Sequence, residues 1–258
     1  MSELFSSEQR QNDIVHLLTR QGKVSVAEIV SCFSISEATA RRDLDALAEK
    51  GRIQRVRGGA LPVTQALPEL PMLQREKNQA YAKNLIGQAA SAIIQDGESI
   101  FLGSGSTVLE VARDLQHRQN LTVVTNSLPV MNALAISSGI TVVFLGGVLR
   151  SSELSFIGHI TEQSLTEVRV DKVIIGVHAI SLDQGLTSDF LPEIMTDRAL
   201  LKAGREVIVV ADHTKVSTVS SAYLSPINSI NTFITDQETP TDFLKGLEKL
   251  GIRVIVAS

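Results

Sequence analysis

The chain has 258 residues with a single cysteine, Cys32, and only short apolar runs, such as residues 207–211. One cysteine excludes an intramolecular disulfide and a cysteine-rich metal site, which favours a reducing compartment. The apolar runs are far shorter than the roughly 20 residues that a membrane-spanning helix needs. The N-terminal residues lack a basic stretch followed by an apolar core, so the sequence predicts no secretory signal and a cytoplasmic location.

The chain also has little net charge, with 24 Lys and Arg against 28 Asp and Glu. As a whole-chain value, this argues weakly against a nucleic-acid-binding protein. The charges are unevenly placed, however, because residues 41–59 hold six basic and three acidic side chains, whereas residues 61–258 carry a net charge of −5. This basic strip is either a solvated face or a nucleic-acid-binding surface, and the pattern around it favours the second.

Three helical patterns precede and include the basic strip. The first covers residues 7–21, and the second begins at a capping box formed by Ser25 and Glu28. After a tight turn, Ser36 is placed to cap a third helix over residues 37–50, which Gly51 ends. Two helices joined by a short turn and preceded by a packing helix predict a helix-turn-helix.

The third helix has a composition suited to the major groove of DNA. Ala40, Leu44 and Leu47 form its buried stripe, and guanidinium groups of the adjacent arginines can reach guanine edges or phosphates. Asp43 interrupts the positive run, and we expect it to pair with an arginine or a backbone N–H. Residues 52–60 predict a β-wing beside the phosphate backbone. The predicted DNA-binding residues are Ser25, Ser36, Thr39, Arg41, Arg42, Arg52, Arg55 and Arg57.

Residues 36–44 (SEATARRDL), their spacing from Arg10 and Ile14, and the RGGA wing at residues 57–60 resemble the DeoR family of bacterial transcriptional regulators. The resemblance implies a winged helix-turn-helix that reads an operator as a dimer or a larger oligomer. Ala40 departs from the Ile or Val that family members more often have at this position.

The remaining chain predicts a connector and a second domain. Residues 61–80 include three of the seven prolines and indicate a semi-rigid linker between a DNA-binding domain at 1–60 and an α/β domain at 81–258. Within 81–258, continuous apolar strands alternate with helical patterns, which predicts a doubly wound, mostly parallel sheet. The predicted strands are Ile100–Leu102, Leu121–Val124, Val142–Leu145, Val173–Ile175, Val207–Val210, Phe233–Ile234 and Val254–Val256.

Ligands bind beyond the carboxyl ends of such strands, and the loops there are rich in glycine or polar residues. A GSGST loop that leads into a helix offers backbone N–H groups and hydroxyls suited to a phosphate. Each loop also has an ordinary alternative, as a helix cap, a turn or an exposed ion pair, and it is their common location that favours a ligand site. The predicted effector-binding residues are Ser104, Gly105, Ser106, Thr107, Thr125, Asn126, Ser127, Gly146, Gly147, Arg150, Asp212 and Lys215.

The same loops resemble the sensor domain of the DeoR family, through motifs that include LGGxxR at 145–150 and ADHTK at 211–215. The resemblance implies a fold like that of ribose-5-phosphate isomerase and glucosamine-6-phosphate deaminase, with a phosphorylated sugar as effector. Departures at residues 176–180 and 196–198 leave the identity of the sugar open.

The predicted function is a DNA-binding regulator, a repressor of a carbohydrate-utilisation operon, that a sugar phosphate releases from its operator. It has no expected cofactor, metal or catalytic residue, and His178, His213 and Cys32 are expected to be structural. One alternative is a sugar-phosphate isomerase or deaminase that uses Asp189, Glu193, Asp212 and Lys215. Another alternative is an activator.

Overall fold

The structure, a computed structural model, describes residues 7–49, 52–62, 66 and 68–258. It separates the chain into two compact units, Met1–Leu67 and Pro68–Ser258. The predicted end of the third helix at Lys50 and Gly51, and residues 63–65 and 67 of the predicted connector, lie outside the described residues. Within the described ranges, no helix is both long and apolar enough to cross a membrane.

In its described part, the first unit has three helices and a small antiparallel sheet. The strand β3 pairs with β2 on one side and with the two-residue strand β1 on the other. This arrangement confirms the predicted helix-turn-helix and wing. The elements are α1 (Ser7–Gln21), β1 (Val24–Ser25), α2 (Val26–Phe33), α3 (Glu37–Glu49), β2 (Ile53–Val56) and β3 (Gly59–Pro62).

Local sequence explains how these elements begin and pack. Ser25 and Glu28 form the predicted capping box at the start of α2, and Ala40, Leu44 and Leu47 of α3 are fully buried. Gly59 is required where β3 meets β1, because a Cβ atom there would lie 2.1 Å from the carbonyl oxygen of Val24. The prediction that Cys32 is a core residue is wrong: its side chain is exposed, because Val26 and Ile29 form the buried face of α2.

The second unit is built on a sheet of seven strands among the described residues, in the order β15-β14-β12-β9-β4-β5-β6, with every neighbouring pair parallel. Its first elements are α4 (Met72–Arg75), α5 (Ala80–Ala92), β4 (Ser99–Leu102), α6 (Ser106–Leu115), β5 (Leu121–Thr125), α7 (Leu128–Leu134) and β6 (Ile140–Phe144). These are followed by β7 (Val148–Arg150), β8 (Ser155–Ile157), α8 (His159–Thr166), β9 (Val170–Ile175), β10 (Ala179–Ser181), β11 (Gly185–Ser188) and α9 (Ile194–Leu201). The chain ends with β12 (Gly204–Val210), β13 (Ala222–Ser225), β14 (Thr232–Thr235), α10 (Thr241–Lys249) and β15 (Arg253–Val256).

Successive side chains along a strand point to opposite faces of the sheet, so they pack into two separate hydrophobic cores, one on each face. Ile100 and Leu102 of β4 pack with α5, α6 and α7, whereas Phe101 packs with α8, α9 and α10. Covering both faces explains why the strands are continuous apolar runs, and it confirms the predicted doubly wound architecture. Because the strands are parallel, the loops that follow them lie along one edge of the sheet.

Two smaller pieces surround this edge. Strands β7 and β8 form a hairpin, and β10, β11 and β13 form an antiparallel sheet. Residues 68–80 differ from the predicted connector, because Met72 is fully buried and its N–H donates to the carbonyl of Ser152 at 2.8 Å. The prolines at positions 68 and 71 therefore precede a short helix that packs within the second unit.

Candidate functional site

The start of α3 presents short polar side chains, as predicted. Ser36 Oγ accepts from the N–H of Thr39 at 3.2 Å and lies 2.9 Å from the Thr39 hydroxyl. At the start of α2, the hydroxyl of Ser25 already donates to the carboxylate of Glu28 at 2.6 Å. Ser36 is thus exposed and Thr39 partly exposed at the start of α3, and their contact with DNA stays a prediction, whereas Ser25 already contributes to a cap.

The arginines of the basic strip are in different environments. Arg41 pairs with Glu37 at 2.6 Å on the exposed face of α3, and Arg42 is also exposed. Arg55 is anchored on the wing by Asp45 at 2.9 Å and by the carbonyl of Gly59. Arg57 is exposed at the turn between β2 and β3. Among the described arginines of the strip, Arg41, Arg42 and Arg57 are therefore exposed, and Arg41 is held in an ion pair.

Arg52, by contrast, is directed against α1. Its Nη1 donates to Asn12 Oδ1 at 2.6 Å, and burial lowers the pKa of this guanidinium. Its contact with DNA stays a prediction. The expectation that Asp43 pairs with an arginine is confirmed, because Arg10 Nε lies 2.6 Å from Asp43 Oδ2 and the two side chains are 15% and 5% exposed.

At the edge of the large sheet, the loop after β4 leads directly into α6. Gly105 has a φ of 110°, which favours glycine, and it offers no side chain to cap the helix. The side chains of Ser106 and Thr107 are buried at this N-terminus, and Ser104 is partly buried. The N-terminus of α6 therefore has no side-chain cap, and the binding of an anion there stays a prediction.

The loop after β5 is completely buried. Asn126 exchanges two hydrogen bonds with the backbone of Phe156, each 2.8 Å long, and Thr125 Oγ1 accepts from the N–H of Ser127 at 3.0 Å. Even so, Asn126 Oδ1 and Ser127 Oγ are buried with no hydrogen-bond partner among the described residues. Ser127 also bridges Ser155, which joins this loop to the β7–β8 hairpin.

The glycine pair after β6 packs against α8. Thr161 Oγ1 donates to the carbonyl of Gly146 at 2.8 Å, and a Cβ on Gly147 would lie 2.2 Å from that hydroxyl oxygen. Arg150, which follows the pair, forms an ion pair with Glu193 and lies 4.3 Å from the centre of the Phe190 ring. The guanidinium of Arg150 is therefore at the site, but its charge is balanced by a carboxylate.

The two residues predicted in the loop after β12 have different roles. Asp212 caps the turn that follows, with Oδ1 accepting from the N–H of Thr214 at 3.0 Å. Lys215 reaches the site, and its Nζ lies 3.6 Å from Glu69 Oε1. The structure thus places the Lys215 ammonium beside Glu69, whereas the carboxylate of Asp212 is engaged in its own turn.

Several charged groups at this edge were not predicted. Arg75 bridges two carboxylates, Glu69 at 2.6 Å and Glu153, and His178 Nδ1 lies 3.5 Å from Glu69 Oε1. Glu153 in turn lies beside Gly105, since a Cβ there would be 3.7 Å from Glu153 Oε1. Arg75 and Glu69 are six positions apart, but Arg75 and Glu153 are separated by 78 positions, so no local motif indicated the cluster as a whole.

Burial and charge shift the acid groups in opposite directions. Burial, reinforced by Glu69 and Glu193, raises the pKa of Glu153 to about 7 despite the neighbouring Arg75. Burial also acts to raise the pKa of Glu69, but His178, Arg75 and Lys215 outweigh it and lower that pKa to about 2. Burial likewise raises the pKa of Glu193. The pKa of Glu69 is therefore lowered while those of Glu153 and Glu193 are raised, which makes Glu69 the carboxyl group of the three that ionises most readily.

Buried polar atoms without a hydrogen-bond partner concentrate in this one region. Within the described residues they are the Nε atoms of two arginines, both ring nitrogens of a histidine, two side-chain carbonyl or carboxylate oxygens and one hydroxyl. We name these residues the polar cluster: Arg75, Asn126, Ser127, Arg150, His178 and Asp189. Such atoms are costly to bury unless a ligand or water satisfies them, so the cluster has the character of a binding site.

Three residues of this region also have the spacing of a metal site. Ligand atoms of Glu69, His178 and Asp189 lie within 4.8 Å of one another. However, Lys215 and Arg75 already place positive charge on Glu69, which disfavours an added cation. The unpartnered atoms include donors as well as acceptors, and this mixture fits a hydroxylated ligand better than a metal ion.

Comparison with known proteins gives matches over nearly the whole chain. The DeoR-like helix-turn-helix domain matches residues 10–66, and the DeoR C terminal sensor domain matches residues 78–237. The chain is 34% identical over 254 residues to the transcriptional repressor AccR of Agrobacterium fabrum, covering 98% of each chain. It is also 34% identical over 243 residues to the glycerol-3-phosphate regulon repressor of Escherichia coli, covering 93% of this chain and 94% of that one.

Among solved structures, a ribose 5-phosphate isomerase A from Methanocaldococcus jannaschii matches with a TM-score of 0.40 at 19% identity, covering 54% of this chain and 55% of that chain. The full-length sorbitol operon regulator SorC from Klebsiella pneumoniae matches with a TM-score of 0.41 at 13% identity, covering 95% and 99%. The two family domains, in this order, account for the winged helix-turn-helix and the α/β unit. The chain belongs to the DeoR family and is a DNA-binding transcriptional regulator with a C-terminal sensor domain.

Proposed function

We propose that this regulator is a repressor of a carbohydrate-utilisation operon and that a phosphorylated sugar, bound at the carboxyl edge of the large sheet, reduces its affinity for operator DNA. The polar cluster is the observation that carries the proposal, because its unpartnered donors and acceptors match the hydroxyls of a sugar. The uncapped N-terminus of α6 and Lys215 supply the adjacent anion-binding groups. Relatives named as repressors, one of a glycerol-3-phosphate regulon, agree with this assignment.

The proposal has two further parts, a location and an oligomeric state. The protein acts in the cytoplasm on double-stranded DNA. It does so as a homodimer or larger homo-oligomer, because two DNA-binding units are needed to read a symmetric operator. We assign no catalytic role to the sheet edge. Of the carboxylates considered for catalysis, Asp212 caps a turn and Glu193 pairs with Arg150, while Asp189 accepts from the N–H of Glu69 through one of its two oxygens.

A ligand screen tests the central claim. We expect one or more sugar phosphates to raise the melting temperature of the full-length protein, since a ligand that binds only the folded state stabilises it by mass action. The same compound should weaken binding to a DNA fragment selected with the protein, measured by fluorescence anisotropy. Operator affinity that stays constant while a sugar phosphate binds would disprove the switch, and a reporter gene distinguishes repression from activation.

Replacing Ser127 by alanine tests the location of the site. Its hydroxyl is buried without a partner in the described structure, so its removal should leave the stability of the free protein unchanged or slightly higher. The affinity for the selected sugar phosphate should fall about tenfold, the loss expected for one buried hydrogen bond. Both quantities can be measured by thermal unfolding and calorimetry.

Ser91→Ala is the matched control for this variant. Ser91, on α5, is also a buried serine, but its hydroxyl donates to Gln88 O at 3.0 Å and to Asp114 on α6. We expect the control to lose some stability and to bind the ligand normally. Equal ligand affinity in Ser127→Ala and the wild type would place the effector elsewhere.

The wing gives a separate prediction about DNA. Arg57→Ala should weaken binding to all sequences and reduce the slope of log K against log salt by about 1, because one phosphate contact is lost. Arg205→Ala serves as the control, since Arg205 is 89% exposed but lies on β12 of the sensor unit. A salt slope that Arg57→Ala leaves unchanged would exclude Arg57 as a phosphate contact.

A further inference from the structure

The inference concerns residues 68–75, which we name the Glu69 segment. This segment includes α4 and is held in the sensor unit by hydrogen bonds from two of its backbone N–H groups. The N–H of Glu69 donates to Asp189 Oδ2 at 2.9 Å, and the N–H of Met72 donates to the carbonyl of Ser152 at 2.8 Å. Met72, within the segment, is fully buried. In sequence, the segment follows directly on the DNA-binding unit, which ends at Leu67.

The carboxylate of Glu69 has the surroundings of a bound anion. Arg75 of the same segment contacts it at 2.6 Å, while Lys215 and His178, from the loops after β12 and β9, approach it at 3.6 Å and 3.5 Å. Its side chain is only 9% exposed. Lys215 and His178 belong to the sheet edge, so the Lys215 ammonium and the His178 ring nitrogens would remain to face any other anion that entered.

We propose that Glu69 is a tethered competitor of the effector: its carboxylate occupies the place of the effector's phosphate, and phosphate binding displaces the Glu69 segment. The inference rests on the proposed function, since it assigns the regulation of that same site. Two anions cannot share Lys215 and His178 at these distances without strong repulsion. A phosphate carries more charge and more acceptor oxygens than a carboxylate, so it competes effectively for the same donors.

The Glu69 segment is joined directly in sequence to the DNA-binding unit, so its displacement changes how that unit is tethered to the sensor unit. The effector and the operator then favour different positions of one segment, which makes their binding mutually unfavourable and reciprocal. The apparent affinity for the effector equals the intrinsic affinity multiplied by the fraction of molecules in which Glu69 has already left the site. It is therefore low when that fraction is small. Removing the negative charge of Glu69 should therefore strengthen effector binding and weaken operator binding at the same time.

The experiment compares Glu69→Gln with the wild type, using inorganic phosphate and ribose 5-phosphate as probes in calorimetry. We expect Glu69→Gln to bind at least one probe about tenfold more tightly, because the competitor has lost its charge. Its operator affinity without any probe should fall toward that of the ligand-bound wild type. Glu76→Gln is the control, since Glu76 follows the segment and contacts Arg113 on α6 at 3.2 Å instead. Probe and operator affinities in Glu69→Gln that equal those of Glu76→Gln would overturn the proposal.

Hydrogen exchange in the unmodified protein provides a second measurement that needs no variant. The amides of Glu69 and Met72 should exchange faster when a sugar phosphate is bound, because their bonds to Asp189 and Ser152 are released. A ligand that binds and changes operator affinity but leaves these amides protected would refute the displacement and leave the proposed function intact. A complete lack of sugar-phosphate binding by the wild type and by Glu69→Gln would refute both.

Discussion

Replacing Asp43 by alanine is expected to lower the free energy of unfolding of the DNA-binding unit by about 3 kcal/mol and to abolish operator binding. Asp43 accepts from Arg10 through both carboxylate oxygens, at 2.6 and 3.2 Å, and from Gln11 at 3.2 Å. Without it, the Arg10 guanidinium would be left largely buried and unpaired. We place the effect at the lower end for a broken buried pair because Arg10 keeps 15% exposure. Chemical denaturation followed by circular dichroism measures the change.

Asp45→Ala is a matched control in the same helix. Asp45 pairs with Arg55 at 2.9 Å but its side chain is 60% exposed, and such surface pairs contribute about 0–1 kcal/mol. A destabilisation by Asp43→Ala no greater than that by Asp45→Ala would show that the Arg10–Asp43 pair does not hold α1 against α3.

The second large effect is a pH-dependent gain of stability in Glu153→Gln. The pKa of Glu153 is raised to about 7 in the folded protein by burial, with Glu69 and Glu193 nearby. A carboxyl group whose folded pKa lies above its unfolded value stabilises the fold when protonated and loses this contribution as pH rises toward the folded pKa. Between pH 5 and pH 8, the wild type should therefore lose about 2 kcal/mol relative to Glu153→Gln, which cannot ionise.

Urea unfolding of both proteins at pH 5, 6.5 and 8 measures this difference, and the comparison at pH 5 is the internal reference. Arg75 keeps its contact with Glu69 in the variant, so no buried guanidinium is left without a partner. A difference in unfolding free energy that is the same at all three values of pH would show that Glu153 is ionised throughout the range.

Periodicity was sufficient to predict the main elements of both units. Strands such as Val207–Val210 are buried on both faces, so they are continuous apolar runs, and the alternation with helices leaves a parallel sheet as the simplest arrangement. Parallel strands also bring their following loops to one edge, which is why Gly105, Ser127 and Lys215 could be grouped without knowledge of any contact. The cap of α2 was predictable because Ser25 and Glu28 are neighbours in sequence.

The sequence did not reveal the Glu69 segment or the direction of Arg52. Prolines at 68 and 71 are as compatible with a packed turn as with a linker, and the backbone hydrogen bond of Met72 is to Ser152, 80 positions away. The ion pair between Arg75 and Glu153 joins residues 78 positions apart, so no local pattern contains it. Arg52 resembles the other arginines of its strip until the position of Asn12 on α1 is known.

The exposure of Cys32 on α2 provides a direct means of observing the DNA-binding unit. Because the chain has one cysteine, a thiol-reactive dye labels the protein at a single position without any engineered residue. The label lies on α2, which precedes α3, so its fluorescence reports on the DNA-binding unit and the sensor unit remains unmodified. Titrating the labelled protein with a sugar phosphate would therefore show in real time how the DNA-binding unit responds to a ligand at the sheet edge.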